Sequence, residues 1–399
     1  MRWVGVEPTR LSAHGPQPCL SANSSTSAIG FDIIICSGGM SRNPTKKPPH
    51  PMEEAMTIIL DAMGSDQFPN PEIHAAVVAA REFSEEIILV GDEIIISPKL
   101  KELNAGNLPI RVEHAPDLVE MGEKPVEAAK RKPRNSMAVG LNLVKERVGE
   151  AFVTAGNTGA AMFNALRTLG RIKGVARPAL TALFPVKGGH CVVLDIGANA
   201  DCRPEFLLQF AIMGSIYAEK VLNKQNPRVG LLSNGEEAGK GNQLIKDTYP
   251  ILEKSGLNFI GNVEGKELFG GGADVVVTDG FTGNILLKSS EAVAKLLTDT
   301  LKEELISSPI TKIGALLAKP AFQKLKAMMD PSEVGAAPLL GIDGLVFVGH
   351  GRSDSRAMYS AIRVARQAVQ SDLLPSLRSA IQERIEMVEN ISTNTMSQS

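Results

Sequence analysis

Six loops of the 399-residue chain combine glycine with short polar side chains. They read DAMGSD (61–66), TAGNTGA (154–160), DIGANADCRPE (195–205), SNGEEAGKGN (233–242), TDGFTGN (278–284) and GHGRSDS (349–355). Glycine lets the backbone approach a ligand closely, and Asn, Ser and Thr offer short hydrogen bonds. A loop of this kind that leads into a helix N-terminus favours an anion, so the set indicates a phosphate-bearing or otherwise anionic substrate.

Several common catalytic motifs are absent from the sequence. GEEAGKG (235–241) resembles a P-loop, but its glycine spacing is one residue short and no Ser or Thr follows Lys240. No GxGxxG follows the first apolar run, no GxSxG occurs, and the six histidines form no HxxxH or HExxH pair. We therefore expect no P-loop nucleotide cradle, no dinucleotide or other cofactor, no nucleophile elbow and no metal site.

The elements that must position these loops are short apolar runs that alternate with longer helical patterns. The runs are 57–60, 87–90, 151–154, 192–195, 229–232, 259–261, 274–278 and 345–348. Continuous apolar runs indicate strands that are buried on both faces, with helices covering those faces. The predicted fold class is α/β with a doubly wound, largely parallel sheet, whose ligands bind at the carboxyl ends of the strands.

The overall composition excludes some classes of function. The 42 Lys and Arg residues nearly balance the 44 Asp and Glu residues, which argues against binding nucleic acid through bulk charge. No apolar run reaches the roughly 18 residues that a membrane-spanning helix needs, although attachment to a membrane surface stays open. The four cysteines show no CxxC spacing, so a reducing cytoplasm is the simple interpretation.

Both ends of the chain differ from its middle. Residues 1–55 hold seven of the 24 prolines and the only tryptophan, with no sustained helical or strand period, which is typical of a disordered segment. A signal peptide is the alternative, but Asp32 interrupts its short apolar run. Because MTIILD begins a strand at once, we expect a biological start at Met56 and a spurious extension before it. Residues 386–399 form a polar tail.

The ordered strings DAMGSD, TAGNTGA, GRIKGVARPAL, LDIGANADCRPE, VGLLSNGEE, VVVTDGFTGN and HGRSDS resemble the bacterial phosphate acyltransferases of phospholipid synthesis over residues 56–385. The resemblance implies a fold similar to phosphotransacetylases and to isocitrate and isopropylmalate dehydrogenases, in a homodimer. It also implies the synthesis of acyl phosphate from acyl-acyl carrier protein and inorganic phosphate. A membrane glycerol-3-phosphate acyltransferase would then use the acyl phosphate.

The missing motifs agree with that reaction, because phosphate is itself a nucleophile and a thiolate is an adequate leaving group. Two alternatives stay open. One is a phosphotransacetylase that acts on short acyl-coenzyme A, and the other is a non-catalytic scaffold that binds acyl carrier protein at a membrane surface.

The resemblance implies catalytic roles for Arg203 and Asn284. The family often has Lys where Arg203 stands, so an electrostatic role is favoured there over proton donation. An amide donor such as Asn284 suits a carbonyl oxyanion. The alternative for both residues is a helix cap or a turn.

Phosphate or substrate contacts are predicted for loop residues near the strand ends, namely Asn157, Thr158, Asn199, Gly283 and His350. For His350 the alternative is a hydrogen bond to a neighbouring carbonyl. The strand-end carboxylates Asp61, Asp195 and Asp279 are expected to orient loops.

A basic segment is predicted to steer the acidic acyl carrier protein by its charge. It contains Lys130, Arg131, Lys132 and Arg134, just before a helix cap at Asn135 or Ser136. A solvated helix end is the alternative.

A helical hairpin over residues 303–341 is predicted to project from the sheet and to contact an acyl chain or a membrane surface. Its predicted contact residues are Ile313, Leu317, Phe322 and Leu325, and its lysines are Lys312, Lys319, Lys324 and Lys326. Pro320 is expected to break the helix, and GAAPLLG (335–341) to return the chain. The amphipathic stripe suits a cytoplasmic protein attached peripherally to the membrane. An ordinary pair of core helices is the alternative.

Overall fold

The computed structural model describes residues 56–329 and 331–383, without the side chains of residues 326–331. The predicted extension 1–55 and the polar tail 386–399 lie outside these described residues. The strands are β1 (Thr57–Asp61), β2 (Glu86–Gly91), β3 (Ile110–His114), β4 (Ala151–Thr154), β5 (Ala179–Val186), β6 (Gly189–Leu194), β7 (Val229–Leu232), β8 (Phe259–Val263), β9 (Val275–Val277), β10 (Ala336–Leu340) and β11 (Leu345–Gly349).

The helices lie between these strands on both faces of the sheet. They are α1 (Asn70–Phe83), α2 (Glu93–Glu102), α3 (Pro125–Arg131), α4 (Ser136–Lys145), α5 (Thr158–Thr168), α6 (Pro204–Lys220), α7 (Gln243–Glu253), α8 (Gly265–Phe269), α9 (Gly280–Ile306), α10 (Pro309–Met329) and α11 (Ser355–Gln370), with a 3₁₀ turn at Pro331–Glu333. Residues 373–383 are also helical.

The strands are apolar throughout because both faces of the sheet are covered. In β1, Ile58 and Leu60 belong to one hydrophobic cluster, whereas Ile59 between them belongs to the cluster on the opposite face. Val276 of β9 is likewise separated from Val275 and Val277. Successive strand residues point to opposite faces, so a continuous apolar run is what a doubly covered sheet requires. The predicted fold class is confirmed in this respect.

All eleven strands form one sheet in the order β3-β2-β1-β4-β11-β10-β5-β6-β9-β7-β8. Most neighbours are parallel, but β10 is antiparallel to both β11 and β5, and β5 is antiparallel to β6. Three successive reversals leave β6, β7, β8 and β9 running opposite to β1, β2, β3, β4 and β11. The carboxyl ends of the two groups of strands therefore lie at opposite edges of the sheet.

Sequence patterns missed β3, β5 and β10. The edge strand β3 reads IRVEH, which mixes charged with apolar residues because one side of it is partly exposed. Prolines occur in both central strands, as Pro185 and Pro338. A proline lacks the N–H that a strand ladder needs. Pro338 of β10 pairs with Phe347 of β11, but β10 pairs with β5 only at Leu339 and Leu340.

The predicted hairpin exists, but three of its details were wrong. Its first arm is the 27-residue α9, which begins at Gly280 and not near residue 303. α10 runs from Pro309 to Met329 without a break at Pro320, since one proline removes only one backbone hydrogen bond of a long helix. The GAAPLLG segment forms β10 in the middle of the sheet and is not a returning loop.

Candidate active site

Asp195 organises the loop that follows β6. Its buried carboxylate accepts hydrogen bonds from the backbone N–H groups of Gly197, Ala198 and Asn199 at 3.1, 3.0 and 2.6 Å. It also accepts one from the N–H of Leu180 in β5 at 3.1 Å. Burial raises the pKa of Asp195, and the bonds from the loop oppose that rise. Asp195 therefore orients the loop, in agreement with the sequence analysis.

The first turn of α9 packs directly on this loop. The N–H of Gly280 donates to the carbonyl of Asn199 at 2.8 Å, and a Cβ at Gly283 would lie only 1.9 Å from the carbonyl oxygen of Asp195. Asp279 caps the helix by accepting from the backbone N–H of Thr282 at 2.8 Å. Gly283 thus permits a close backbone approach; its predicted contact with substrate stays a prediction.

Arg203 and Asn284 stand beside this loop without protein partners. Arg203 is exposed at the start of α6, in the N-cap position, yet its side chain makes no capping bond. Asn284 is half-buried in α9, and a Cβ at Gly197 would lie 3.8 Å from its Cγ. Within residues 56–329 and 331–383, neither side chain makes a hydrogen bond or an ion pair. A structural cap or turn therefore does not account for either side chain.

Two helix N-termini beside these donors favour negative charge, whereas Asp195, Asp201 and Asp279 place negative charge near the same loop. α6 and α9 both begin against the 195–203 loop, and a helix N-terminus carries a partial positive charge with unpaired N–H groups. A guanidinium and an amide that no protein group engages remain available to an anion or to a developing oxyanion. We name residues 195–203 together with 278–284 the Asp195 edge.

Asn199 is not available in the same way. Its side-chain nitrogen donates to the carbonyl of Pro178 at 2.8 Å and to the Asp195 carboxylate at 2.9 Å. Both amide hydrogens are thus used within the protein, because an amide nitrogen has only two. The structure gives Asn199 the role of joining the 195–203 loop to the segment before β5.

The opposite edge of the sheet has its own buried aspartate. Asp61 accepts from the backbone N–H of Met63 at 3.0 Å and from the Thr154 hydroxyl at 2.7 Å. The Thr154 oxygen in turn accepts from the N–H of Gly156 at 3.0 Å, and the N–H of Asp66 donates to Gly351 at 2.7 Å. We name these three joined loops, 61–66, 154–158 and 349–353, the Asp61 edge.

Asn157 and His350 of the Asp61 edge make hydrogen bonds within the protein, although the buried Ser65 Oγ has no hydrogen-bond partner among the described residues. Asn157 caps α5 by accepting from Ala160 at 3.0 Å, and its nitrogen donates to the carbonyls of Met121 and Glu123 at 2.8 and 3.2 Å. His350 is exposed, and its Nδ1 accepts from the N–H of Arg352 at 3.2 Å, so its local bond is to an N–H and not to a carbonyl. Thr158 is exposed in the first turn of α5. The substrate contacts of Asn157, Thr158 and His350 stay predictions.

The structure therefore does not gather all predicted site residues at one edge. Arg203, Asn284 and Asn199 lie together, whereas Asn157 and Thr158 lie at the other edge. No hydrogen bond among the residues that the structure describes joins the Asp61 edge to the Asp195 edge. The predicted cradle of Asn157, Thr158 and Asn199 is divided because the strands that carry these residues run in opposite directions.

Two residues that support the edges were missed. Glu72 is fully buried in α1, its Oε1 accepts from the N–H of Ser65 at 3.0 Å, and burial with the nearby charge of Asp61 raises its pKa to about 7. Gln209 of α6 accepts from Ala176 at 2.8 Å and donates to Gly174 at 2.9 Å, which holds the loop before β5. Neither residue carries a local signal, because each contacts a distant loop from within an apolar helix.

Only part of the predicted basic segment is free. Lys132 donates to Glu123 at 2.6 Å and to the carbonyl of Leu118 at 2.7 Å, and Arg131 pairs with Glu123 at 3.2 Å. Lys130 and Arg134 are exposed, with no partner among the described residues. Asn135 is the cap of α4, since it accepts from the N–H of Ala138 at 3.0 Å.

The two arms of the hairpin, α9 and α10, pack against each other. The half-buried residues of α10 are Thr311, Ala315, Ala318 and Phe322, spaced as one helical face. The larger aliphatic residues point away from that face. The exposed ones include Ile306 (57%), Ile310 (82%), Ile313 (63%), Leu316 (70%), Leu317 (78%) and Leu325 (42%). The alternative of a core helix pair is thus wrong for these described residues of the chain.

No helix in the part of the chain that the structure describes is long and apolar enough to cross a membrane. One group of three carboxylates in that part could offer ligand atoms to a metal, namely Glu236, Glu264 and Glu267. Lys266 pairs with all three at 2.7, 3.9 and 3.3 Å, so an ion-pair network accounts for them.

Comparison with known proteins gives the same family over most of the chain. Residues 56–375 match the model of the family described as "Fatty acid synthesis protein". A phosphate acyltransferase of Elusimicrobium minutum is 47% identical over 337 residues, which cover 84% of this chain and 99% of that protein. One of Pelotomaculum thermopropionicum is 46% identical over 327 residues, with coverages of 82% and 95%.

A similar fold occurs in the crystal structure of a phosphotransacetylase from Streptococcus pyogenes. The TM-score is 0.50 at 18% identity, and the match covers 79% of this chain and 94% of that one. The chain therefore belongs to the fatty acid synthesis protein family, among the acyltransferase enzymes that its curated relatives represent.

Proposed function

We propose that the protein transfers an acyl group from acyl-acyl carrier protein to inorganic phosphate and so forms acyl phosphate. The observation that carries the proposal is the pair Arg203 and Asn284, two donors that have no partner within residues 56–329 and 331–383 and lie where α6 and α9 begin. Membership of the family and the phosphate acyltransferase names of the relatives support the reaction class. The product would serve a membrane glycerol-3-phosphate acyltransferase, and the active form would be a homodimer.

The proposed reaction uses few protein groups. A phosphate oxygen attacks the thioester carbonyl carbon, the C–S bond breaks, and the carrier leaves as a thiolate with a pKa near 8.5. Arg203 and the N-terminus of α6 hold the phosphate, and the Asn284 amide donates to the oxyanion that forms on the carbonyl. Holding the two reactants together can supply roughly 7 to 11 kcal/mol, and each oxyanion donor adds roughly 3 to 4 kcal/mol.

The reaction is tested by incubating the purified chain with palmitoyl-acyl carrier protein and phosphate and trapping acyl phosphate as its hydroxamate. Hydroxamate that depends on both substrates and on Arg203 supports the proposal. Parallel assays with acetyl-coenzyme A test the alternative of a short-chain phosphotransacetylase. Turnover of acetyl-coenzyme A alone would replace the proposal with that alternative, and no turnover of either substrate would favour a scaffold.

Steering of the acidic carrier is proposed for the exposed Lys130 and Arg134, which lie on the side of the Asp61 edge. A competing basic pair, Lys173 and Arg177, is exposed on the loop that Asn199 and Gln209 hold against the Asp195 edge. Replacing each pair by Glu provides matched variants. A larger rise in KM for acyl carrier protein in the Lys130→Glu Arg134→Glu chain supports the proposed surface, and the reverse result moves the carrier to the other loop.

Attachment to a membrane surface is proposed for the outer face of the hairpin. Its exposed Ile and Leu residues would insert part way into the acyl region, and Lys312, Lys319 and Lys324 are exposed on the same helix. Each lysine near an anionic surface contributes about 1 kcal/mol, so binding should be stronger to anionic than to neutral vesicles and should weaken with salt.

The test replaces Ile313 and Leu317, both exposed on α10, together by Glu and measures vesicle flotation, acyl transfer and light scattering. Lost flotation with retained transfer supports the membrane role. If transfer is lost in an intact dimer, the exposed residues of the hairpin contact the acyl chain. If the product is monomeric or aggregated, these residues form a protein interface. The matched control is Val78→Glu Ile94→Glu, which adds two charges at exposed apolar positions of α1 and α2 and should float normally.

A further inference from the structure

A polar cavity lies at the far end of the strands that carry the Asp195 edge. It is open to solvent, has a volume of about 100 Å³, and is formed by the β5–β6 turn, the loop before β7 and the loop before β9. We name it the turn pocket. Its polar lining consists of Lys187, Gly188, Gly189, His190, Lys224, Arg228, Gly271 and Asp274.

The turn pocket has more positive than negative charge. Its one carboxylate, Asp274, accepts from Arg228 through Nε at 2.9 Å and Nη2 at 3.2 Å, and lies 3.4 Å from the Lys224 ammonium. Burial alone would raise the pKa of Asp274, but the bonds and charge of Arg228 and Lys224 hold it below its usual value. Lys187 is exposed and has no side-chain partner among the described residues. Two cations thus remain in excess over the single carboxylate.

The backbone of the turn also suits an anion. Gly188 and Gly189 have φ values of 90° and 147°, and a Cβ at either position would meet nothing within 4 Å, so their backbone faces open space. Gly271 fixes the turn from the other side, because a Cβ there would lie 2.4 Å from the carbonyl oxygen of Lys187. The N–H of Gly188 has no backbone partner among the described residues, whereas Gly189 pairs with Val186 across the hairpin. An exposed N–H next to lysine and arginine is what phosphate-binding turns offer.

The turn pocket is separate from the candidate active site. β6 begins at Gly189 in the pocket and ends at Leu194, the residue before Asp195. Six residues of strand span roughly 20 Å, so one bound molecule of phosphate size cannot occupy both places.

We propose that the turn pocket is a second anion-binding site, which takes a phosphate group through Lys187, Lys224, Arg228 and the backbone N–H of Gly188. The group is either inorganic phosphate or the phosphate of a monoester. Nothing in the proposed acyl transfer requires this site, so its success or failure is independent of that reaction.

The experiment is a calorimetric titration of the full chain carrying Arg203→Ala and Asn284→Ala, which weakens phosphate binding at the candidate active site. Inorganic phosphate and methyl phosphate are the two probes. In this background we compare Lys187→Glu with Lys254→Glu, which makes the same charge change at an exposed position outside the pocket. Lys187→Gln is included because it removes the charge with the least risk to folding.

We expect Lys254→Glu to bind like its parent and Lys187→Glu to bind roughly tenfold to hundredfold more weakly, as loss of a charge-assisted hydrogen bond predicts. Lys187→Gln should lie between them. If Lys187→Glu weakens the binding of inorganic phosphate, the pocket binds the free ion. If it weakens the binding of methyl phosphate alone, the pocket binds a phosphate ester. Equal affinities of the Lys187→Glu, Lys187→Gln and Lys254→Glu chains for both probes would overturn the proposal.

Discussion

The Asp61 edge and the Asp195 edge use the same local arrangement. In each, a buried aspartate at the end of a strand gathers backbone N–H groups of the following loop, and burial raises the pKa of that aspartate. They differ in what the neighbouring polar side chains do. At the Asp61 edge Asn157 and Thr154 bond to the protein, whereas at the Asp195 edge Arg203 and Asn284 have no partner among the described residues.

This difference distinguishes polar residues that stabilise a loop from polar residues that remain available to a ligand. A buried polar group without a partner costs free energy, so most are satisfied within the protein. Asn284 is half-buried beside two helix N-termini, and we propose that its amide is available to a substrate because it has no partner among the described residues. Similar glycine-rich strings in a sequence can therefore serve either purpose, and the hydrogen bonds of the folded chain tell them apart.

The largest expected effect is at Arg203. Arg203→Ala should lower kcat by roughly 100-fold or more while leaving the fold intact, because the exposed side chain has no structural partner and is proposed to act on negative charge. Arg203→Lys should retain much of the activity. Steady-state kinetics and circular dichroism check both variants, and unchanged turnover of Arg203→Ala would falsify the assignment.

The next effect is at Asn284. Asn284→Ala should lower kcat by about 100-fold, the lower end of the range for the loss of one oxyanion donor. The loss should fall on kcat, because the bond forms only as the oxyanion develops. A change confined to KM would instead show that Asn284 binds the ground state. Either result sharpens the comparison. If neither kcat nor KM changes, Asn284 does not belong to the site.

A smaller effect concerns Glu72, which supports the Asp61 edge. Its folded pKa of about 7 lies above the ordinary value of 4.5, so stability should fall as pH rises through that window and the buried carboxyl ionises. Between pH 5.5 and 7.5 the loss should be about 2 kcal/mol. Glu72→Gln stays neutral and should lack this part of the pH dependence. Denaturant unfolding of both chains at the two pH values measures it; parallel profiles would contradict the shifted pKa.

The smallest effect on turnover is expected at Asn157. Asn157→Ala removes the cap of α5 and two bonds to the 121–123 segment, which should cost about 1 kcal/mol of the free energy of unfolding. Turnover should change by less than about twofold, because both amide hydrogens and the carbonyl oxygen of Asn157 bond to the protein. A loss of turnover as large as that of Asn284→Ala would show that both edges contribute to catalysis and would break the comparison.

Much of the local structure is predictable from short patterns. All eight apolar runs are strands or overlap strands in the structure, and Asn135, Asn157 and Asp279 cap the helices that follow them. These features depend on neighbours within a few residues, where the sequence period and the cap chemistry act directly. β5 and β10 were not predicted because each contains a proline and is flanked by residues typical of loops, although both strands lie in the middle of the sheet.

The site was predictable in part for the same reason. The positions of Arg203 before Pro204 and of Asn284 in TDGFTGN place both at helix beginnings, which a linear string can show. The roles of Asn199, Glu72 and Gln209 could not be read in this way. Their partners lie 21, 7 and 35 positions along the chain, in elements that meet only after folding.

The amino-acid sequence by itself determined the α/β class, the covered faces of the sheet and the helix beginnings beside Arg203 and Asn284. These follow from periodicity and from local backbone preferences. Only the tertiary structure decided that β10 and β5 reverse the sheet and that the glycine-rich loops divide between two edges. Strand direction depends on pairing between distant segments, such as Leu339 with Leu180, and no local pattern encodes that choice.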